Sequence, residues 1–205
     1  MHPRWLYLRN SAGDGPQFFP KLKAHRVDLV QQYEADRLDW SPYVGVMVSM
    51  HADQRHLNEH REKLDTYLET GGTIIINGHV TQPYLPELGR YEPMPKRGLK
   101  ELVIHREAEH PVFEGFDSDS LTFRRGVAGF YGRGTNPAPE GALVINSAGP
   151  DHVAVDWLYE RPSGGRVFVH SGVEMWMFLM GEPPEPLRYI QRFFDWFAQT
   201  SRKVS

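Results

Sequence analysis

Residues 43–49 (YVGVMVS) and 73–77 (TIIIN) are apolar runs with little alternation, and the segment between them has the pattern of an amphipathic helix. Strands that are apolar on both sides belong inside a sheet covered on both faces. Within residues 53–72 (DQRHLNEHREKLDTYLETGG), Leu57, Leu64, Tyr67 and Leu68 fall on one helical face and charges on the rest. Asp53 is a suitable N-cap, and Gly71-Gly72 supplies the C-terminal stop. Strand, helix and strand in this order imply a right-handed crossover. The two strands are therefore expected to be parallel neighbours whose carboxyl ends open on one edge.

Similar alternation runs through the first half, with strands expected at 5–9 and 26–31. After a proline-rich loop at 83–98 the character changes. Brief strands near 102–105, 121–123, 142–146, 153–159 and 166–170 are separated by turn clusters, so some must pair as hairpins. The best hairpin candidate joins 153–159 to 166–170. Residues 186–199 (PLRYIQRFFDWFAQ) read as a closing helix, with Pro186 in its first turn and Leu187, Ile190, Phe193, Phe194 and Phe197 as its apolar face. The resulting fold class is α/β, a three-layer, mostly parallel sheet with an antiparallel hairpin extension.

With 205 residues, 40% hydrophobic and 12% aromatic, the chain can bury a full core as one domain spanning 1–205. A formal charge of −3, with both signs interspersed, gives no electrostatic footprint for nucleic acid or an anionic membrane. Small polar molecules or proteins are the expected partners. The apolar runs are too short to span a bilayer, and MHPRWLYLRN lacks the apolar core of a signal peptide, so the expected location is cytoplasmic. The absence of cysteine excludes disulfides, thiolate metal sites and a cysteine nucleophile.

Three stretches carry a family resemblance. Residues 56–79 (HLNEHREKLDTYLETGGTIIINGH) resemble the class I glutamine amidotransferase-like superfamily, in which a helix ending in Gly-Gly leads into the central strand and its nucleophile elbow. HPVFEGF (110–116) and GGRVFVHSG (164–172) are similar to phrases of its ThuA-like, trehalose-utilisation-type branch. The resemblance implies a flavodoxin-like sheet and a ligand that is sugar-like. A glutamine-hydrolysing member presents Gly-x-Cys at the elbow and a later His-x-Glu pair; here Asn77-Gly78-His79 stands at the elbow. The thiolate route to glutaminase chemistry is therefore closed.

In open parallel sheets ligands bind beyond the carboxyl ends of the strands. Residues 10–15 (NSAGDG), 49–53 (SMHAD), 77–82 (NGHVTQ) and 170–174 (HSGVE) should converge there. His79, His170 and Glu174 are the candidate catalytic residues; a histidine there can act as base, metal ligand or donor. Asn10, Asp14, His51, Asp53, Gly78 and Gln82 are the candidate ligand-binding residues. Five of them have a plainer alternative: a turn for His79, a strand end for His170, a surface carboxylate for Glu174, a helix N-cap for Asp53, Asp-Gly turn chemistry for Asp14. A divalent metal is the cofactor these residues admit, with the ligand set open. His56 and His60 have the i, i+4 spacing of a two-histidine metal face, but with Glu59, Arg61 and Glu62 beside them they read as a solvated helix face.

Three function classes follow: a binding domain without chemistry, a histidine-based or metal-assisted hydrolase or isomerase, and an assembly unit with a vestigial pocket. Aromatic residues in the last third, including Trp176, Phe178 and the 193–197 face, exceed the needs of one sheet face, so a homo-oligomer through 173–180 or the last helix is expected.

Overall fold

The computed structural model describes residues 4–11, 17–124, 126–180 and 185–200. Eight strands form the main sheet: β1 (Arg4–Arg9), β2 (Val27–Gln31), β3 (Tyr43–Val48), β4 (Thr73–Asn77), β5 (Ile104–Arg106), β6 (Leu143–Ala148), β7 (Val153–Glu160) and β8 (Arg166–His170). Their order is β2-β1-β3-β4-β8-β7-β6-β5. The first five in that order are parallel, with Val46 opposite Ile74 across β3 and β4, and His170 opposite Asn77 across β8 and β4. The remaining pairings are antiparallel. The structure is thus α/β with a large, mostly parallel sheet and an antiparallel side, and the 153–159 and 166–170 segments form the expected hairpin, Glu160 opposite Arg166.

The α-helices are α1 (Phe19–Ala24), α2 (Gln54–Glu59), α3 (Arg61–Glu69), α4 (Ser118–Thr122) and α5 (Glu185–Thr200). Period-2 alternation divides the strand residues between two buried clusters. Leu6, Leu8, Val46, Val48, Ile74, Ile76, Val167 and Val169 pack with Leu57 of α2 and Leu64, Tyr67 and Leu68 of α3. Trp5, Tyr7, Met47, Ile75 and Phe168 pack with Phe19 and Leu22 of α1 and Phe193, Phe194 and Phe197 of α5. Each such side chain contributes roughly 2–3 kcal/mol by leaving water. No helix among the described residues is long and apolar enough to cross a membrane.

Two elements differ from the sequence reading. The segment expected as a strand at 121–123 is mostly helical, because the Asp117 carboxylate accepts from the Ser120 N–H at 2.7 Å and caps α4; only Phe123–Arg124 remain extended. The single helix expected over 53–70 is broken at His60, whose φ of −107° and ψ of 21° end α2 and begin α3.

Trp176 lies against Phe194 with stacked rings at 5.7 Å, and both are buried. The aromatic surplus that suggested a subunit contact is to that extent taken up inside the chain. Phe178 side-chain packing lies outside the described residues.

Candidate functional site

Because β1, β3, β4 and β8 are parallel, the segments following them emerge on one edge. The turn after β4 is the sharpest feature there. Gly78 has φ 86°, and a Cβ at this position would stand 2.6 Å from Met50 Cβ, so conformation and space both demand glycine. Its N–H donates to the His170 carbonyl at 2.9 Å. Buried Asn136 holds the turn from the other side: its Nδ2 donates to Gly78 O at 2.7 Å and its Oδ1 accepts from Val80 N–H at 2.9 Å. The strained residue of the turn thus carries no side chain. His79, one residue on, is exposed and stacks on Tyr91 with centroids 3.6 Å apart and planes 17° from parallel. Partial burial lowers its pKa.

His170 and Glu174 occupy separate interior networks. His170 Nδ1 lies 2.7 Å from Asp156 Oδ1, with both residues wholly buried. Asp156 Oδ2 also accepts from the Tyr131 hydroxyl and from Asn146 Nδ2, each at 2.6 Å. In the tautomer that donates Nδ1–H to the Asp156 carboxylate, Nε2 carries the lone pair, as in a general base. That Nε2 is buried without a hydrogen-bond partner among the described residues. A Cβ on Gly172 would come within 2.6 Å of Nε2 and 1.6 Å of the Tyr131 carbonyl, so the backbone at 172 lies close over the ring. Glu174 Oε2 accepts from Ser49 Oγ at 3.1 Å and from Met50 N–H at 2.9 Å. Burial pushes the carboxyl up to about 7 despite these hydrogen bonds, to which Tyr7 adds. The partner of His170 is therefore Asp156 and not Glu174.

The outer rim holds the remaining candidates. Asn10 Nδ2 donates to the His51 carbonyl at 3.1 Å, and the His51 ring is exposed. Asp53 is the N-cap of α2, accepting from Arg55 N–H at 3.0 Å and His56 N–H at 3.2 Å, which lowers its pKa. Gln54 clamps the segment after the turn: its Oε1 accepts from the N–H of Thr81 at 2.7 Å and of Gln82 at 2.9 Å, and its Nε2 donates to His79 O at 2.7 Å. Ala52, Asp53, Gln54, Arg55, Thr81 and Gln82 line a cleft of about 320 Å³. Asp14 lies outside the described residues.

Sequence reasoning did not single out Asp156, Asn146, Tyr131, Asn136 or Gln54. The available signal for Asp156 was a lone acid within an otherwise apolar strand, VAVDWLY.

No protein-family model and no curated protein matches this chain. Among solved structures it is similar to the N-terminal domain of mmIFT52, at 14% identity and TM-score 0.57, covering 94% of this chain and 96% of that one. It also resembles parts of a cold-adapted β-galactosidase from Rahnella sp. R3 (14% identity, TM-score 0.49) and of Gan42B, a GH42 β-galactosidase (12%, 0.45). The likeness covers 94% and 96% of this chain but only 31% and 30% of those enzymes. Identities this low speak to the fold alone.

Proposed function

We propose that this chain is an amidotransferase-like domain without glutaminase activity that binds a small polar, hydroxylated molecule at the carboxyl edge of its sheet. The order β2-β1-β3-β4-β8 is the flavodoxin order and supports a three-layer flavodoxin-like arrangement. One observation carries the functional reading: the His170–Asp156 pair and Glu174 are sealed inside, while the rim cleft keeps open hydrogen-bonding capacity. Arg55 and Gln82 line that cleft, and their side chains make no hydrogen bond or ion pair with the described residues. Its volume suits a sugar or polyol, at the low end of small-molecule sites. The ligand is held by Arg55 and Gln82. The protein acts in the cytoplasm, and any self-association uses the 173–180 segment, where Met177 is exposed, or the last helix.

Calorimetric titration with monosaccharides, polyols and hydroxy acids tests this reading. A binder should emerge, weakened about tenfold by Arg55→Ala or Gln82→Ala, the loss of roughly one charge-assisted or neutral hydrogen bond. Unchanged affinity in both variants would remove the cleft from the account.

A second reading is favoured by the unpartnered Nε2 of His170, which with Asp156 forms the base and orienting pair of a hydrolase. Hydrolysis of a glycoside or ester that disappears in His170→Gln, at unchanged fold, would select it over binding alone. If neither binding nor turnover is found, the assembly reading remains.

A further inference from the structure

The geometry points to a site for a divalent transition-metal ion of the zinc class, formed by His56, Glu59 and His60. It is independent of the rim-cleft reading. One donor atom from each of the three residues lies within 4.8 Å of the others. Their order, His-Leu-Asn-Glu-His, reverses the His-Glu-x-x-His arrangement by which helices present two imidazoles to zinc.

Backbone carbonyls occupy one nitrogen of each ring. His56 Nε2 lies 3.2 Å from the carbonyl of Gln32, and His60 Nδ1 lies 3.0 Å from the carbonyl of His56. A carbonyl oxygen only accepts, so each ring's single N–H points at backbone. The opposite nitrogens, Nδ1 of His56 and Nε2 of His60, then carry the lone pairs. Donation of the second ring nitrogen to a carbonyl is the usual way a protein orients a histidine ligand. The His56 ring is held further by an edge contact with Tyr33 at 4.9 Å.

The break between α2 and α3 falls on His60, so its ring does not follow an unbroken helical face. The two imidazoles stand with centroids 4.2 Å apart and planes 41° from parallel. Ligand atoms around a tetrahedral zinc, at bonds of about 2.05 Å, are roughly 3.4 Å apart. Three donor atoms within 4.8 Å of one another stand close to that spacing, and the third ligand, Glu59, is exposed. Two nitrogens and one carboxylate oxygen form a three-ligand set with the remaining position for water. Imidazole donors suit Zn²⁺, Ni²⁺ and Cu²⁺, whereas Mg²⁺ and Ca²⁺ require oxygen-rich shells.

The test is calorimetric titration of metal-stripped full-length protein with zinc chloride, with magnesium chloride as the selectivity control. Cobalt(II) absorption in the visible reports coordination geometry. One zinc per chain should bind in the micromolar range, magnesium should not compete, and cobalt should give the intense bands of a four-coordinate site. His56→Ala and His60→Ala should each weaken zinc by at least about tenfold, as should Glu59→Gln. His60→Gln, checked by far-UV circular dichroism, separates loss of a ligand from loss of fold. His105→Ala with His152→Ala removes the other stacked histidine pair, at 4.5 Å, and should leave binding unchanged. Zinc affinity that survives the combined change His56→Ala, His60→Ala, or that falls only in the His105, His152 variant, would overturn the site, as would no binding at millimolar zinc.

Discussion

Two polar regions share the carboxyl edge of the sheet and differ in what their side chains are free to do. In the interior, Asp156, His170, Asn146 and Tyr131 satisfy most of their hydrogen-bonding needs among themselves, and Glu174 is held by Ser49 and Met50. On the rim, Asp53 and Gln54 are engaged by local backbone, but Arg55 and Gln82 face a cleft. The His170–Asp156 pair and Glu174 are buried, whereas Arg55 and Gln82 keep hydrogen-bonding capacity toward the cleft. A buried histidine–aspartate pair does not make a catalytic site unless substrate can reach it.

The contrast predicts the largest stability effect inside. Asp156→Ala strands the Tyr131 hydroxyl, an Asn146 amide and the His170 ring without their common acceptor, and should cost about 3–5 kcal/mol in denaturant unfolding. A loss below about 1 kcal/mol would mean that the network is not the interior's main polar tie. Next comes Gly78→Ala, which combines a positive φ with a 2.6 Å clash at Met50. Its expected cost is about 2–4 kcal/mol, measured the same way.

A smaller effect concerns pH. Burial raises Glu174 to about 7, so its favourable contribution is complete below about 4.5 and is lost as pH rises toward 7, by at most roughly 1.4 kcal/mol per unit. Buried His110 has the opposite sign. Its pKa falls to about 4 through burial and then Arg106, so its contribution is complete above about 6.5 and is lost as pH falls toward 4. The slopes oppose each other between about 4.5 and 6.5. Glu174→Gln removes one of them: its melting temperature should climb with pH across that window more steeply than the parent's, and should exceed the parent's at pH 8. Parallel profiles would show that Glu174 is not sealed as a neutral acid. At the rim, Arg55→Ala and Gln82→Ala should change stability by no more than about 0.5 kcal/mol.

The parallel β3–β4 pair, the Gly78 turn and the β7–β8 hairpin were legible because each is written locally, as an apolar run ending in a turn signal. The sharing of one edge by the segments after β1, β3, β4 and β8 followed from that pattern. The pairing of Asp156 with His170 was not legible from either residue. It arises because Glu160 faces Arg166 across the hairpin, a register that puts Asp156 directly opposite His170 and on the same face. Asn136 was hidden in a proline-flanked loop whose role is long-range. The break at His60 has no glycine or proline to announce it, which is why Glu59 did not read as a third ligand.

The most direct test is an amide chemical-shift map of ¹⁵N-labelled protein titrated with the tightest polyol or sugar from the binding panel. The account predicts shifts at residues 52–55 and 81–82, with the amides of Asp156, His170 and Glu174 unmoved. Shifts centred on residues 170–174 and Tyr131, with the rim silent, would place the ligand on the interior histidine and contradict the division between sealed chemistry and open binding.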